Sequence, residues 1–125
     1  MDIRESGEMY LETILILSAQ KERLRSVDIA EHMGYSKPSV SRALGVLKRK
    51  GLAQVDQSGF VTLTEAGAVI AKNIYERHLI LSKLLRSIGV DEETAMADAC
   101  KVEHYISETT FEAIKRHMRE HGAED

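Results

Sequence analysis

Cysteine is almost missing from this chain: Cys100 stands alone among 125 residues. A disulfide framework is excluded, which leaves the thiol as a core group, a reactive group or a metal ligand. Proline is as scarce, with Pro38 the single example. The few glycines fall mostly at the ends of expected elements, so no long disordered linker is implied. No apolar run approaches the roughly 20 residues needed to span a bilayer. The opening Met1-Asp2-Ile3-Arg4-Glu5 has no basic-then-apolar targeting pattern, and a cytoplasmic location is the expectation. The length suits one domain, or a small domain with an appended helical module.

The net charge of −3 argues at first against nucleic acid. Its distribution argues the other way. Residues 21–50 carry Lys21, Arg23, Arg25, Lys37, Arg42, Lys48, Arg49 and Lys50 against Glu22, Asp28 and Glu31, a net of +5. Residues 91–125 carry ten acidic side chains against four basic ones, a net of −6. A basic front suits phosphates and an acidic rear suits cations. Two ordinary solvated surfaces would give the same count, so charge alone decides nothing.

Apolar spacing at Met9, Leu11, Ile14, Leu15 and Leu17 predicts a first helix over about 5–21. Ser26 is the expected N-cap of a short second helix ending at Gly34. Ser36 caps a third, with Pro38 in its first turn and an apolar stripe of Val40, Ala43, Leu44 and Leu47. Leu52–Val55 and Phe60–Leu63 flank a turn containing Gly59 and predict a β-hairpin. Thr64, Asp91 and Ser107 then cap three further helices, reaching about Ile88, Ile106 and His121.

Two short helices joined by a glycine turn and followed by a hairpin make a winged helix-turn-helix. The second helix of such a pair enters the major groove of DNA. Here it opens Ser36-Lys37-Pro38-Ser39-Val40-Ser41-Arg42. Small hydroxyls approach phosphates and base edges closely, and Arg42 spans to a guanine edge or a phosphate. Lys48, Arg49 and Lys50 sit at its far end, suited to backbone contacts.

A second pattern is Cys100-Lys101-Val102-Glu103-His104. On a helix, positions i, i+3 and i+4 share a face, so a thiolate, a carboxylate and an imidazole project together. The first helix adds Met9 and Glu12, also on one face, and the fourth adds His78. That mixture of donors suits a divalent transition metal. Taken singly, each residue has a plainer reading as core or surface; the clustered Cys100, Glu103 and His104 carry the metal reading.

At these motifs the sequence resembles the diphtheria-toxin-repressor family of metal-dependent repressors, which includes a manganese-sensing branch. The matching stretches are Glu8–Ile14, Val27–Glu31, Ser36–Ser41, Leu63–Gly67, Arg77-His78 and Ala99–His104, in order along nearly the whole chain. The resemblance implies a mainly α fold. A winged-helix DNA-binding domain at residues 1–70 would precede a helical metal-binding and dimerisation domain at 71–125. It implies a homodimer that binds double-stranded operator DNA, with no enzymatic activity, no small-molecule substrate and no membrane partner. It is to the short form, which ends near the sixth helix without the SH3-like domain of longer members.

Position by position, Met9, Cys100, Glu103 and His104 match the primary ligands of the iron-responsive branch. Glu12 and His78 match a second site of the manganese branch, with Glu103 available to both. Ser82 and Met96 replace ancillary ligands of the iron branch, and Met9 and Cys100 replace carboxylates of the manganese branch. Softer sulfur donors disfavour Mn2+ relative to Fe2+, Co2+ and Zn2+. The expectation is therefore a repressor governing metal homeostasis, activated by Fe2+ with Mn2+ as second choice, holding one or two ions per chain. The DNA contacts expected are Ser36, Lys37, Pro38, Ser39, Ser41, Arg42 and Lys48. An alternative is a winged-helix regulator that senses oxidants through Cys100. A thiol–imidazole enzyme built on Cys100 and His104 is disfavoured, because no oxyanion-hole, glycine-rich-loop or HExxH signal accompanies them.

Overall fold

The computed structural model describes residues 5–121. The stretch read for targeting lies outside them from Met1 to Arg4. The chain divides into two compact units, Met1–Lys72 and Asn73–Asp125. The elements run α1 (Glu5–Gln20), α2 (Ser26–Met33), α3 (Lys37–Arg49), β1 (Ala53–Val55), β2 (Val61–Leu63), α4 (Glu65–Ser87), α5 (Glu92–Val102) and α6 (Glu108–His121). The mainly α winged-helix architecture expected from the sequence is the one found. Among the described residues no helix is long and apolar enough to cross a membrane.

In the first unit, Leu11 and Ile14 of α1, Leu24, Ile29 of α2, Val40 and Leu47 of α3, and Val61 of β2 are almost fully buried in one cluster. The α2–α3 turn is made by Gly34, whose φ of +73° is a left-handed conformation that a side chain would strain. Ser36 then caps α3, its hydroxyl accepting from the Ser39 amide, while Pro38 occupies the first turn. One cap differs from expectation. Helix α2 begins at Ser26, with Arg25 in the cap position. The Arg25 amide donates to the Asp28 carboxylate at 2.9 Å, so the helix start is fixed by the acidic residue of the first turn reaching back to the cap amide rather than by a serine hydroxyl.

β1 and β2 pair antiparallel, with Ala53 opposite Leu63 and Val55 opposite Val61. The Asp56 carboxylate closes the hairpin by accepting from the amides of Ser58 and Phe60, each at 2.9 Å. The outer side of β2 is also bonded: Val61 N–H donates to the Leu24 carbonyl at 2.7 Å, and Arg25 bridges to Phe60.

Helix α4 starts directly on the hairpin. The Thr64 hydroxyl donates to the Gly51 carbonyl at 2.7 Å and accepts from the Gly67 amide at 3.0 Å. Gly67 lies so close to the Leu52 carbonyl that a Cβ there would overlap its oxygen. Because the obstacle is backbone, relief requires α4 to shift. Gly67→Ala should therefore destabilise the first unit by about 1–3 kcal/mol, despite alanine's better helix propensity. Urea denaturation checks this, and an unchanged or raised midpoint would contradict the close approach.

In the second unit, Ile74 and Leu81 of α4, Ala95 and Ala99 of α5, and Phe111 of α6 are buried. Asp91 caps α5 by accepting from the Thr94 amide at 3.0 Å. The Thr94 amide, and then its hydroxyl, hold the Asp91 pKa below its ordinary value of 3.8. The cap is therefore present above that value and lost as pH falls through the lower folded one. Ser107 caps α6 through the Thr110 amide.

Candidate metal centre and nucleic-acid interface

The exposed face of α3 follows from its sequence. Val40, Leu44 and Leu47 turn inward, which leaves Ser36, Lys37, Pro38, Ser41, Arg42 and Lys48 exposed and Ser39 half-buried. Ser39 links its neighbours: the Ser36 hydroxyl donates to it at 2.9 Å, and Arg42 Nη2 lies 3.4 Å from it. The first turn is thus a small hydroxyl cluster with a guanidinium beside it.

The charge count overstates the free cations of this region. Lys21 pairs with Asp28 at 2.8 Å. Arg25 Nη1 donates to the Ser58 carbonyl at 2.7 Å, and its guanidinium lies 4.4 Å from the Phe60 ring centroid. Arg23 approaches the same ring at 5.9 Å. Arg25 therefore braces the tip of the wing, a role that sequence reading did not assign to it. Lys37, Arg42 and Lys48 are the exposed cations of α3 expected to reach DNA.

The predicted metal ligands divide between the units. Met9 and Glu12 belong to α1; Met9 lines a cleft with Ser6, Met33 and Tyr35. His78, Cys100, Glu103 and His104 belong to the second unit. Helix α5 ends at Val102, four residues before the expected Ile106. The cluster survives this because Glu103, at φ −59° and ψ −25°, keeps helical dihedrals as the C-cap. One ligand atom each from Cys100, Glu103 and His104 falls within 4.8 Å of the others.

Glu103 is the centre of this group. Its side chain is 0% exposed. Oε1 lies 3.1 Å from His78 Nδ1, a hydrogen bond whose direction depends on the imidazole tautomer. Oε2 lies 3.3 Å from His104 Nε2 but accepts no hydrogen bond. Leaving one buried carboxylate oxygen without a donor is costly, and a cation at that oxygen would relieve the cost. Thiol sulfur, carboxylate and two imidazoles are also donors a divalent transition metal accepts. On both counts these residues fit a metal ion.

Arg77, which the sequence marks only as part of a matching stretch, binds the backbone of this centre. Nη1 donates to the carbonyls of Glu103 (3.2 Å) and Ile106 (2.9 Å), and Nη2 donates to Glu108 at 2.9 Å. The guanidinium also lies 5.3 Å from the Phe111 ring centroid.

A winged helix with a hydroxyl-rich, basic recognition helix, followed by a helical unit with a buried donor cluster, is the build of a metal-responsive transcription regulator. Residues 2–59 match the model of the iron dependent repressor N-terminal DNA binding domain, and residues 64–122 match that of the iron dependent repressor metal binding and dimerisation domain. The transcriptional regulator MntR of Escherichia coli O6:H1 is 36% identical over 120 residues, covering 96% of this chain and 77% of that protein. The iron-dependent repressor IdeR of Mycobacterium bovis is 33% identical over 108 residues, covering 86% of this chain and 47% of that protein. The solved manganese regulator SloR superposes with a TM-score of 0.80 at 26% identity, covering 90% of this chain and 53% of that one. The chain thus spans about half the length of the last two. The chain belongs to the iron-dependent repressor family, that of the diphtheria toxin repressor, whose members are metal-dependent transcriptional repressors. The relatives are regulators rather than enzymes, which removes the thiol–imidazole enzyme reading, and nothing in the comparisons supports oxidant sensing through Cys100.

Proposed function

We propose that this protein is a homodimeric repressor that governs metal-ion homeostasis in the cytoplasm, with Fe2+ as its effector and Mn2+ as second choice. The observation that carries the reading is Glu103: a fully buried carboxylate set between His78 and His104, beside Cys100, with one oxygen accepting no hydrogen bond. The division of labour proposed is DNA binding by residues 1–70 and metal binding with dimerisation by 71–125.

Cys100, Glu103 and His104 supply the primary donors, and His78 shares Glu103 at a second position. The resemblance adds Met9 to the first and Glu12 to the second. A bound divalent ion supplies the positive charge that this buried carboxylate lacks. Two sulfurs in the primary set favour Fe2+ over Mn2+. For dimerisation, the second unit offers Leu79, Ile88, Met96, Val102 and Tyr105, all exposed, as apolar surface for a second copy. A symmetric dimer presents two recognition helices, which read half-sites separated by about 34–36 Å or multiples of it.

The test is DNA binding by the metal-free protein, titrated anaerobically with Fe2+, Mn2+, Co2+ and Zn2+. The DNA is a duplex selected by the protein from a random pool. Fe2+ should confer binding at the lowest free concentration, with Mn2+ acting later. Equal binding with and without metal would overturn the repressor reading, and a response to Mn2+ below that to Fe2+ would overturn the iron assignment. At the DNA surface, Arg42→Ala should cost about 1–3 kcal/mol on the selected sequence and relax its specificity. Lys48→Ala should weaken all sequences alike and reduce the salt slope. Equal losses for both variants on selected and random DNA would remove Arg42 from base reading.

A further inference from the structure

We propose that the outer face of α6 carries a separate metal site, made by His117 and His121 with Glu120 beside them, that takes a late first-row divalent cation, Zn2+ or Cu2+. The spacing His117, Glu120, His121 repeats that of Cys100, Glu103, His104, with imidazole in place of the thiol. On a helix these positions form one stripe. Helix α6 is continuous through His121. Phe111 faces inward and Met118 is half-buried, while His117, Glu120 and His121 are exposed. The two imidazole centroids are 5.0 Å apart with their planes tilted by 42°. Glu120 Oε1 lies 3.7 Å from His121 Nε2.

Two imidazoles at i and i+4 already meet most of the geometric demand of a chelating pair. Small side-chain rotations bring one nitrogen of each onto a common ion. Metalloprotease helices hold Zn2+ through histidines at this separation, with a further ligand from elsewhere in the fold. Here Glu120 lies beside His121, but among the described residues no group of three donors comes together at this place. Water would complete the coordination, so the site binds metal without the enclosed geometry that hydrolysis needs. Three cations share this stretch of α6: Lys115, whose ammonium is engaged by Glu76 at 2.8 Å, and Arg116 and Arg119.

The donor set fixes the selectivity. Two imidazole nitrogens follow the Irving–Williams order, which rises from Mn2+ and Fe2+ at the weak end to a maximum at Cu2+ and falls again at Zn2+. The α6 site is thus biased away from the metals assigned to the Glu103 centre. A chain loaded with Zn2+ should hold one more ion than a chain loaded with Mn2+.

The inference is tested on the full chain by equilibrium dialysis and calorimetry with Zn2+ and with Mn2+. The proteins compared are the wild type, His117→Ala, His121→Ala and Glu103→Gln. Each histidine variant should bind one Zn2+ per chain fewer than wild type while its Mn2+ uptake is unchanged. Glu103→Gln should retain the α6 Zn2+, which separates this site from the buried centre. Because both histidines are exposed, circular dichroism should show the same helicity in each variant. Electron paramagnetic resonance with Cu2+ should show coupling to two imidazole nitrogens in Glu103→Gln and to one after His121→Ala is added. Zn2+ uptake and affinity unchanged in both histidine variants, or a Cu2+ spectrum indifferent to His121→Ala, would overturn the proposal.

Discussion

Glu103→Gln should yield a folded chain that no longer binds DNA in response to any metal. The substitution keeps the shape of the side chain and removes its charge. Both carboxylate oxygens already face imidazoles, Oε1 toward His78 at 3.1 Å and Oε2 toward His104 at 3.3 Å. A carboxylate can serve two ions where an imidazole normally cannot, so one residue supports both proposed positions. The loss should exceed the roughly 10–100-fold cost of replacing an outer hydrogen-bond partner of a metal ligand. Without metal the sign reverses. Replacing a buried charge by a neutral amide that can donate to an imidazole should leave the apo-protein at least as stable as wild type. Calorimetry and thermal melts of the two apo-proteins measure both effects. A variant that still gains DNA affinity on adding Fe2+ or Mn2+ would sink the assignment. His78→Ala, by contrast, should remove only a second binding event.

Arg77→Met should destabilise the protein by about 2–4 kcal/mol and loosen the metal centre with it. The long apolar stem is preserved, so the loss is that of the guanidinium. The Glu103 and Ile106 carbonyls lose their shared donor in a partly buried setting, at about 1–3 kcal/mol for each group left unsatisfied. The Phe111 ring loses a cation at its face. The Glu108 pair adds little, because that carboxylate is 73% exposed. Glu108→Ala is therefore the control and should cost well under about 1 kcal/mol. Metal affinity should fall about 10–100-fold in Arg77→Met, since the backbone that aims Glu103 is released. Chemical denaturation and metal titration of both variants decide it. Equal behaviour of the two would reduce Arg77 to an ordinary surface ion pair.

Most of what the sequence disclosed is local. Ser36, Thr64, Asp91 and Ser107 cap their helices as expected, because a cap is decided within three or four residues of chain. The hairpin and the Gly34 turn are legible for the same reason. Even locally, competition misleads: Ser26 looked like the better cap, but the Asp28 carboxylate reached the Arg25 amide and set the start of α2 one residue earlier. The end of α5 was misjudged for a different cause. The C-cap carbonyl of Glu103 and the Ile106 carbonyl beyond the helix are bound by Arg77, 26 and 29 residues away along the chain, and no periodicity in 91–106 records that. Arg25, which reaches Ser58 across 33 residues, is hidden in the same way. The grouping of Cys100, Glu103 and His104 was readable because its spacing is helical. The place of His78 beside Glu103 rested on resemblance until the hydrogen bond was seen.

The bonding of Leu24 and Arg25 to the outer side of β2 bears on how the molecule avoids sticking to itself. A two-stranded ribbon on its own presents two rows of open amides and carbonyls, each a template for a stray strand from a neighbour. Here one row is already occupied, at Val61 by the Leu24 carbonyl and at Phe60 by the Arg25 bridge. The remaining edge belongs to β1, only Ala53–Val55 in length. So short an edge offers an incoming strand too few bonds to offset the entropy of aligning it. The segment that enters α2 thus acts as a selvedge, finishing the ribbon so that it does not unravel into its neighbours.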